Sequence, residues 1–181
     1  MAWHGRFYIY PQFIFLLAFL SCGNEQQQTV SEDSLKERMI HVNKYMVQDE
    51  SKEIEKFMNG KAWKMNSTGT GLRFEIYKQG SGKKPSAGSR VVISYSLSLL
   101  DGTKCNPENE NKMQAVMLGQ NSQIRGLEEG ILLMHEGDQA RLVIPSHLGF
   151  GMQGDGNKIP GLSPLYCDVS LLKVENSQDE K

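Results

Sequence analysis

The chain is poor in cysteine and histidine, carries no excess of either charge, and has no apolar run comfortably long enough for a membrane span. Each shortage removes a class of function. The 3 cysteines and 4 histidines share no metal-ligand spacing, since His4, His41, His135 and His147 stand far apart from one another and from any cysteine. No structural zinc site is expected and no cofactor is assigned. With 20 basic against 21 acidic residues and a formal net charge of −1, both signs scattered, there is no basic face to follow a phosphate backbone. Nucleic acid is therefore not an expected partner. A composition of 39% hydrophobic and 23% charged residues fits one compact domain with an appendage.

What is present begins at the N-terminus. Arg6 precedes an apolar stretch from Phe7 to Leu20, interrupted by Pro11 and Gln12, which suits the core of a signal peptide better than a membrane helix. The following Phe19-Leu20-Ser21-Cys22-Gly23 resembles the bacterial lipobox, in which a small residue precedes a cysteine that becomes the acylated N-terminus. That resemblance implies lipidation at Cys22, and an ordinary secretory signal is the alternative. Residues 22–30 then read as a solvated tether that holds the folded part off a bilayer. The compartment implied is the cell envelope, at the periplasmic or outer-membrane face, and oxidising.

Beyond the tether, Leu35, Met39, Val42 and Met46 recur at helical spacing after the cap candidates Ser31 to Ser34, which predicts an amphipathic helix with one face buried. A second short helix is predicted from about Ser51 to Met58, stopped by Asn59-Gly60. These helices pack on the domain, or they form a dimerisation or client-holding arm. Period-2 alternation then predicts strand through Trp63 and Met65 and through Leu72, Phe74 and Ile76, and a further strand is expected from about Arg90 to Leu100. Asp101-Gly102 is a hairpin signal, and further strands are expected around Ala115 to Leu118 and near Arg141 and Leu165, with a helix beginning near Ile124. The fold class is α+β, an antiparallel twisted sheet wrapped on a short central helix and preceded by one or two N-terminal helices. The domain is expected over residues 62–175, after a signal peptide at 1–21 and a helical segment at 31–60, with a polar tail at 176–181.

Gly149 to Gly154 reads Gly-Phe-Gly-Met-Gln-Gly, which matches the dinucleotide fingerprint in letters alone. The chain continues through Asp155-Gly156-Asn157 to Pro160-Gly161, so no helix N-terminus is available to hold a pyrophosphate. The run is read instead as a glycine-rich loop. Asn66-Ser67-Thr68 matches a glycosylation sequon and is read as an ordinary turn.

The run Ile124-Arg-Gly-Leu-Glu-Glu-Gly130, followed by Ile-Leu-Leu-Met and Glu136-Gly137-Asp138, resembles the central helix of the FKBP family of peptidyl-prolyl isomerases. The framework continues through Val91 to Gly102, Val116 to Gly119, Ala140 to Pro145 and Leu165 to Leu172, so the resemblance covers about residues 71–174. It implies a pocket in which Tyr95 is a wall, the backbone N–H of Ile124 holds the substrate carbonyl, Leu127 is the floor, Phe150 lies on an overhanging loop and Ile159 closes one side. Tyr95, Ile124 and Phe150 are the implied catalytic positions. Leu127 stands where the best-known members carry an aromatic ring, and Phe150 keeps a ring where a tyrosine is usual.

Other matching positions depart from the family. Cys105-Asn106 falls where Phe-Asp is usual, Gln114 where an aromatic is usual, Gln123 where a small aliphatic is common, and Cys167 where a phenylalanine packs beside the pocket. Losing such contacts is worth on the order of 1 to 3 kcal/mol per site if the space is not refilled. A weak isomerase with poor affinity for the macrolide ligands of the family is therefore expected. Cys105 and Cys167 are either two small buried hydrophobes or, in an oxidising compartment, a disulfide across the site. Two functions stay in view: a prolyl isomerase acting on proline-containing exported clients, and a non-catalytic peptide-binding or chaperone module on the same fold.

Overall fold

The computed structural model describes residues 32–106, 110–120 and 124–175. The signal segment, the anchor Cys22, the tether, Gln123 and the tail at 176–181 lie outside the described residues. Two compact units divide the chain, residues 1–40 and 41–181. Of the first, the structure describes the opening turns of α1, where Leu35 and Met39 are exposed. The face expected to be buried is thus open there.

Helix α1 runs unbroken over Glu32–Met58, where two helices were expected. Between Val47 and Lys52 stand neither Gly nor Pro, so nothing forces the helix to stop. In the second unit Ile54 of this helix is buried, while Asp49 and Lys52 pair at 3.1 Å on its exposed side. Trp63 and Met65 do not enter the sheet, whose first strand β1 is only Asn66–Ser67. Lys64 N–H donates to the Glu75 carboxylate at 3.1 Å instead of to a strand, and the Trp63 ring stacks on Tyr166 at 5.4 Å. Two of the sequon residues, Asn66 and Ser67, thus begin the sheet, and the third, Thr68, opens a turn that runs to Gly71.

The remaining strands are β2 (Arg73–Lys78), β3 (Arg90–Leu99), β4 (Met113–Met117), β5 (Gln139–Ile144) and β6 (Leu165–Glu175). They form one antiparallel sheet in the order β1-β2-β5-β6-β3-β4. Period 2 decides the two faces. In β6, Leu165, Cys167, Val169 and Leu171 are fully buried while Tyr166, Asp168 and Ser170 alternate on the other side. Helix α2 (Arg125–Leu132) lies on the apolar face, its Leu127 and Ile131 joining Val91, Ile93, Leu97, Leu142 and Ile144 in a single core.

Gly126 and Gly130 let α2 approach β5 closely. A Cβ at Gly126 would run into the Ile144 side chain, and one at Gly130 would come within 2.6 Å of Leu142 Cδ1. The depth at which α2 sits, and with it the site, depends on these two missing methyls.

On the opposite face Tyr77 donates to Asp168 Oδ1 at 2.8 Å, and Tyr166 donates to Asp168 Oδ2 at 3.4 Å. Burial first, then the bond to Asp168, pushes Tyr77 up to about 12. Burial and the Asp168 charge push Tyr166 up to about 12 as well. An unfolded tyrosine ionises near 10, so this contribution is fully present below about pH 10 and is lost as pH rises towards about 12. Stability measured by chemical denaturation should therefore fall across that window. Asp168→Asn should narrow the fall, and an unchanged alkaline profile in that variant would remove Asp168 from the account.

Candidate active site

Between α2 and the apolar face of the sheet lies a cavity of about 300 Å³. Successive inward positions of β3 supply Ile93, Tyr95 and Leu97, and β4 supplies Gln114 and Val116. The segment after β3 turns back through Gly102, whose φ of 92° suits glycine, and brings Cys105 and Asn106 to the wall. Ile124, Leu127, Glu128 and Ile131 come from α2 and its N-cap. The glycine-rich loop closes the last side with Phe150, Asp155 and Ile159.

Local bonds hold these walls. Glu128 accepts the backbone N–H of Gly119, joining α2 to the end of β4. The Asp155 carboxylate accepts the N–H groups of Asn157 at 2.8 Å and Ile159 at 2.7 Å, which presses Ile159 into a buried position. Asn106 Oδ1 accepts the Leu97 N–H at 2.8 Å. Only the carbonyl end of the amide can do that, so the side-chain orientation is decided by the backbone donor. Its buried Nδ2 has no acceptor among the described residues.

The electrostatics are those of a binding pocket. Burial holds the Tyr95 hydroxyl above its ordinary range, with the bond to Gln114 pulling the other way. Burial likewise raises the Cys105 thiol. At neutral pH both are protonated, so the thiol is no activated nucleophile. The wall offers two rings, aliphatic surface and a few fixed polar groups, the usual make-up of a pocket for a small ligand.

Eight residues singled out from the sequence converge here: Tyr95, Cys105, Asn106, Gln114, Ile124, Leu127, Phe150 and Ile159. Gln123 lies outside the described residues. Cys167 is not on the cavity wall. It is wholly buried in the core, opposite Leu97 on one side and Leu142 on the other. Cys105 and Cys167 are unbridged, and the register explains why. Cys105 donates its N–H to Leu97 O at 2.8 Å while Cys167 faces Leu97 from β6, so a whole strand separates them. Two strand spacings are about 9 to 10 Å, beyond the ~7 Å that a disulfide can span. Sequence reasoning passed over Ile93, Leu97 and Ile131, although the first two share the alternation of Tyr95 and the third lies one helical turn beyond Leu127. After Gly154 no helix follows among the described residues, so the glycine run is a loop and not a nucleotide cradle.

An antiparallel sheet folded over one short helix, with a mostly apolar cavity between them that carries the rings of Tyr95 and Phe150 and the carboxylates of Glu128 and Asp155, defines a protein with a pocket for a mostly apolar group. The comparisons make this specific. Residues 81–172 match the family model described as FKBP-type peptidyl-prolyl cis-trans isomerase, and the chain belongs to that family. It is 35% identical over 163 residues to a macrophage infectivity potentiator of Trypanosoma cruzi, covering 87% of this chain and 79% of that protein. It is 33% identical to a probable FKBP-type peptidyl-prolyl cis-trans isomerase FkpA of Neisseria meningitidis, over 83% of this chain but only 57% of that relative's length. Among solved structures, a peptidyl-prolyl cis-trans isomerase from Pseudomonas syringae superposes with a TM-score of 0.61 at 29% identity, covering 74% of this chain and 96% of that one. FkpA from Escherichia coli gives the same TM-score at 25% identity, covering 82% and 75%.

Proposed function

We propose that the protein is a peptidyl-prolyl cis-trans isomerase acting on X-Pro bonds of exported or envelope proteins. The carrying observation is the convergence of Tyr95, Phe150, Leu127, Ile159 and the α2 N-cap residue Ile124 on one cavity in a chain of this family. The barrier to be lowered is amide rotation, about 18 to 20 kcal/mol. Twisting the amide removes the resonance that makes its planar form polar, so an apolar wall binds the twisted form better and lowers the barrier. Tyr95 and Phe150 embrace the prolyl ring, and Leu127 and Ile159 exclude water from it. The Ile124 N–H is the donor assigned to the substrate carbonyl, on the strength of its place where the helix begins at the cavity wall. No proton transfer or covalent intermediate is needed.

Cys105, Asn106 and Gln114 make part of the wall smaller or more polar than a ring would, which favours slow turnover. The same observation supports the second reading, a peptide-binding or chaperone module on this fold. In the cell the domain is anchored at the envelope through a lipid on Cys22, its clients are proline-containing chains, and the exposed apolar residues of α1 supply the surface for a homodimer. Protease-coupled isomerisation of a set of Xaa-Pro peptides tests the enzymatic reading. Turnover above the spontaneous rate is expected on at least one peptide. Binding of the same peptides without acceleration would give the site to the second reading.

A further inference from the structure

The loop that carries Phe150 is launched from a short 3-10 turn, Ser146–Leu148, which follows Pro145. The first N–H of such a turn has no partner within the turn and must find an acceptor elsewhere. Here the acceptor comes from α1. Glu50 takes the Ser146 backbone N–H on Oε1 and the Ser146 hydroxyl on Oε2 at 3.0 Å. Ser146 is only 3% exposed, so water does little to replace either bond.

With its N–H and hydroxyl engaged, Ser146 uses its carbonyl to gather the loop. It accepts the N–H of Gly149 at 3.0 Å and of Gly151 at 2.8 Å. Phe150 lies between those two bonds. Gly151 O in turn accepts the Leu162 N–H at 2.8 Å, which ties the two arms of the loop together. A line of direct contacts therefore runs from the α1 carboxylate through Ser146 to both sides of the ring that overhangs the cavity.

We propose that Glu50 is a positioning residue for the cavity, setting the pose of Phe150 through Ser146. The helix is then part of the site's construction and more than an appendage to it. This deepens the isomerase reading and rests on it for its kinetic consequence, because a loosened Phe150 would hold substrate less often without altering the chemistry once it is held.

The test compares wild type, Glu50→Ala, Glu50→Gln and Ser146→Ala in full-length protein. Turnover of an Xaa-Pro tetrapeptide and amide hydrogen exchange at Gly149 and Gly151 are the two readouts. In Glu50→Ala, KM should rise about five- to tenfold while kcat changes less than about twofold, and both amides should exchange faster. Glu50→Gln still offers one acceptor and one donor to Ser146, so it should return KM to within about twofold of wild type. Wild-type KM and wild-type exchange in Glu50→Ala would overturn the proposal. Should that variant fail to fold, Ser146→Ala, which removes the hydroxyl bond to Glu50, is read in its place by exchange, with faster exchange at Gly149 and Gly151 expected and wild-type exchange at both overturning the proposal. A wild type that turns over no peptide would end the isomerase reading, while the exchange comparison would still decide whether Glu50 holds the loop.

Discussion

Alanine at Gly126 is expected to destabilise the domain by about 2 to 3 kcal/mol, the upper part of the range of about 1 to 3 kcal/mol for forcing extra carbon into a packed interior. The added Cβ meets Ile144, and it also comes within 3.2 Å of Leu148 Cβ. Ile144 is fully buried and branched at Cβ, so its side chain has few rotamers in which to retreat. Gly130→Ala should cost less, because its two nearest contacts are the terminal methyls of Leu142, with Cγ farther off at 3.3 Å, and those methyls can turn about χ2. Gly69→Ala is the control, since nothing lies within 4 Å of its Cβ. Urea midpoints at constant slope measure the series. An order other than Gly126 first, Gly130 second and Gly69 near zero would mean that α2 sits farther from β5 than described.

Tyr95→Ala is expected to lower kcat/KM on Xaa-Pro peptides on the order of 10- to 100-fold, equivalent to about 1.4 to 2.7 kcal/mol of lost transition-state stabilisation. The phenol is half-buried and forms one wall of the cavity, so its removal widens the space and admits water beside the twisting amide. Tyr95→Phe keeps the ring and gives up the bond between its hydroxyl and Gln114. It should retain activity within about threefold, if packing and not the hydroxyl carries the effect. Parallel melting curves separate loss of the wall from loss of the fold. Wild-type kcat/KM in the alanine variant would place catalysis outside this cavity.

Much of the architecture was legible in the sequence because alternation along β3 and β6 and the helical run after Ile124 are local signals with one reading each. The cavity residues were legible only through the family resemblance, since nothing in their spacing brings Phe150 and Tyr95 to one cavity. What escaped were partners distant along the chain. Glu50 and Ser146 are 96 residues apart, and neither carries a pattern that points to the other. Trp63 was placed in a strand because alternation describes which way side chains face but not whether a neighbouring strand exists to bond the backbone. Cys167 was placed on the cavity wall for a similar reason. Its face was right, but its depth is decided by Leu97 standing between it and the cavity region of Cys105.

The strand order has a consequence for how the protein folds. β6 comes after the other strands of the sheet along the chain yet lies between β5 and β3, and its 11 residues pair along both of its edges. Until it pairs, the sheet is two halves, β1-β2-β5 and β3-β4, whose facing edges are open. Neither Tyr95 nor α2 can be held in place before then, because the core that seats them includes Leu165, Val169 and Leu171 of β6. The site is therefore completed only when β6 has paired, and a chain in which it has not paired carries the kind of open strand edge that favours aggregation.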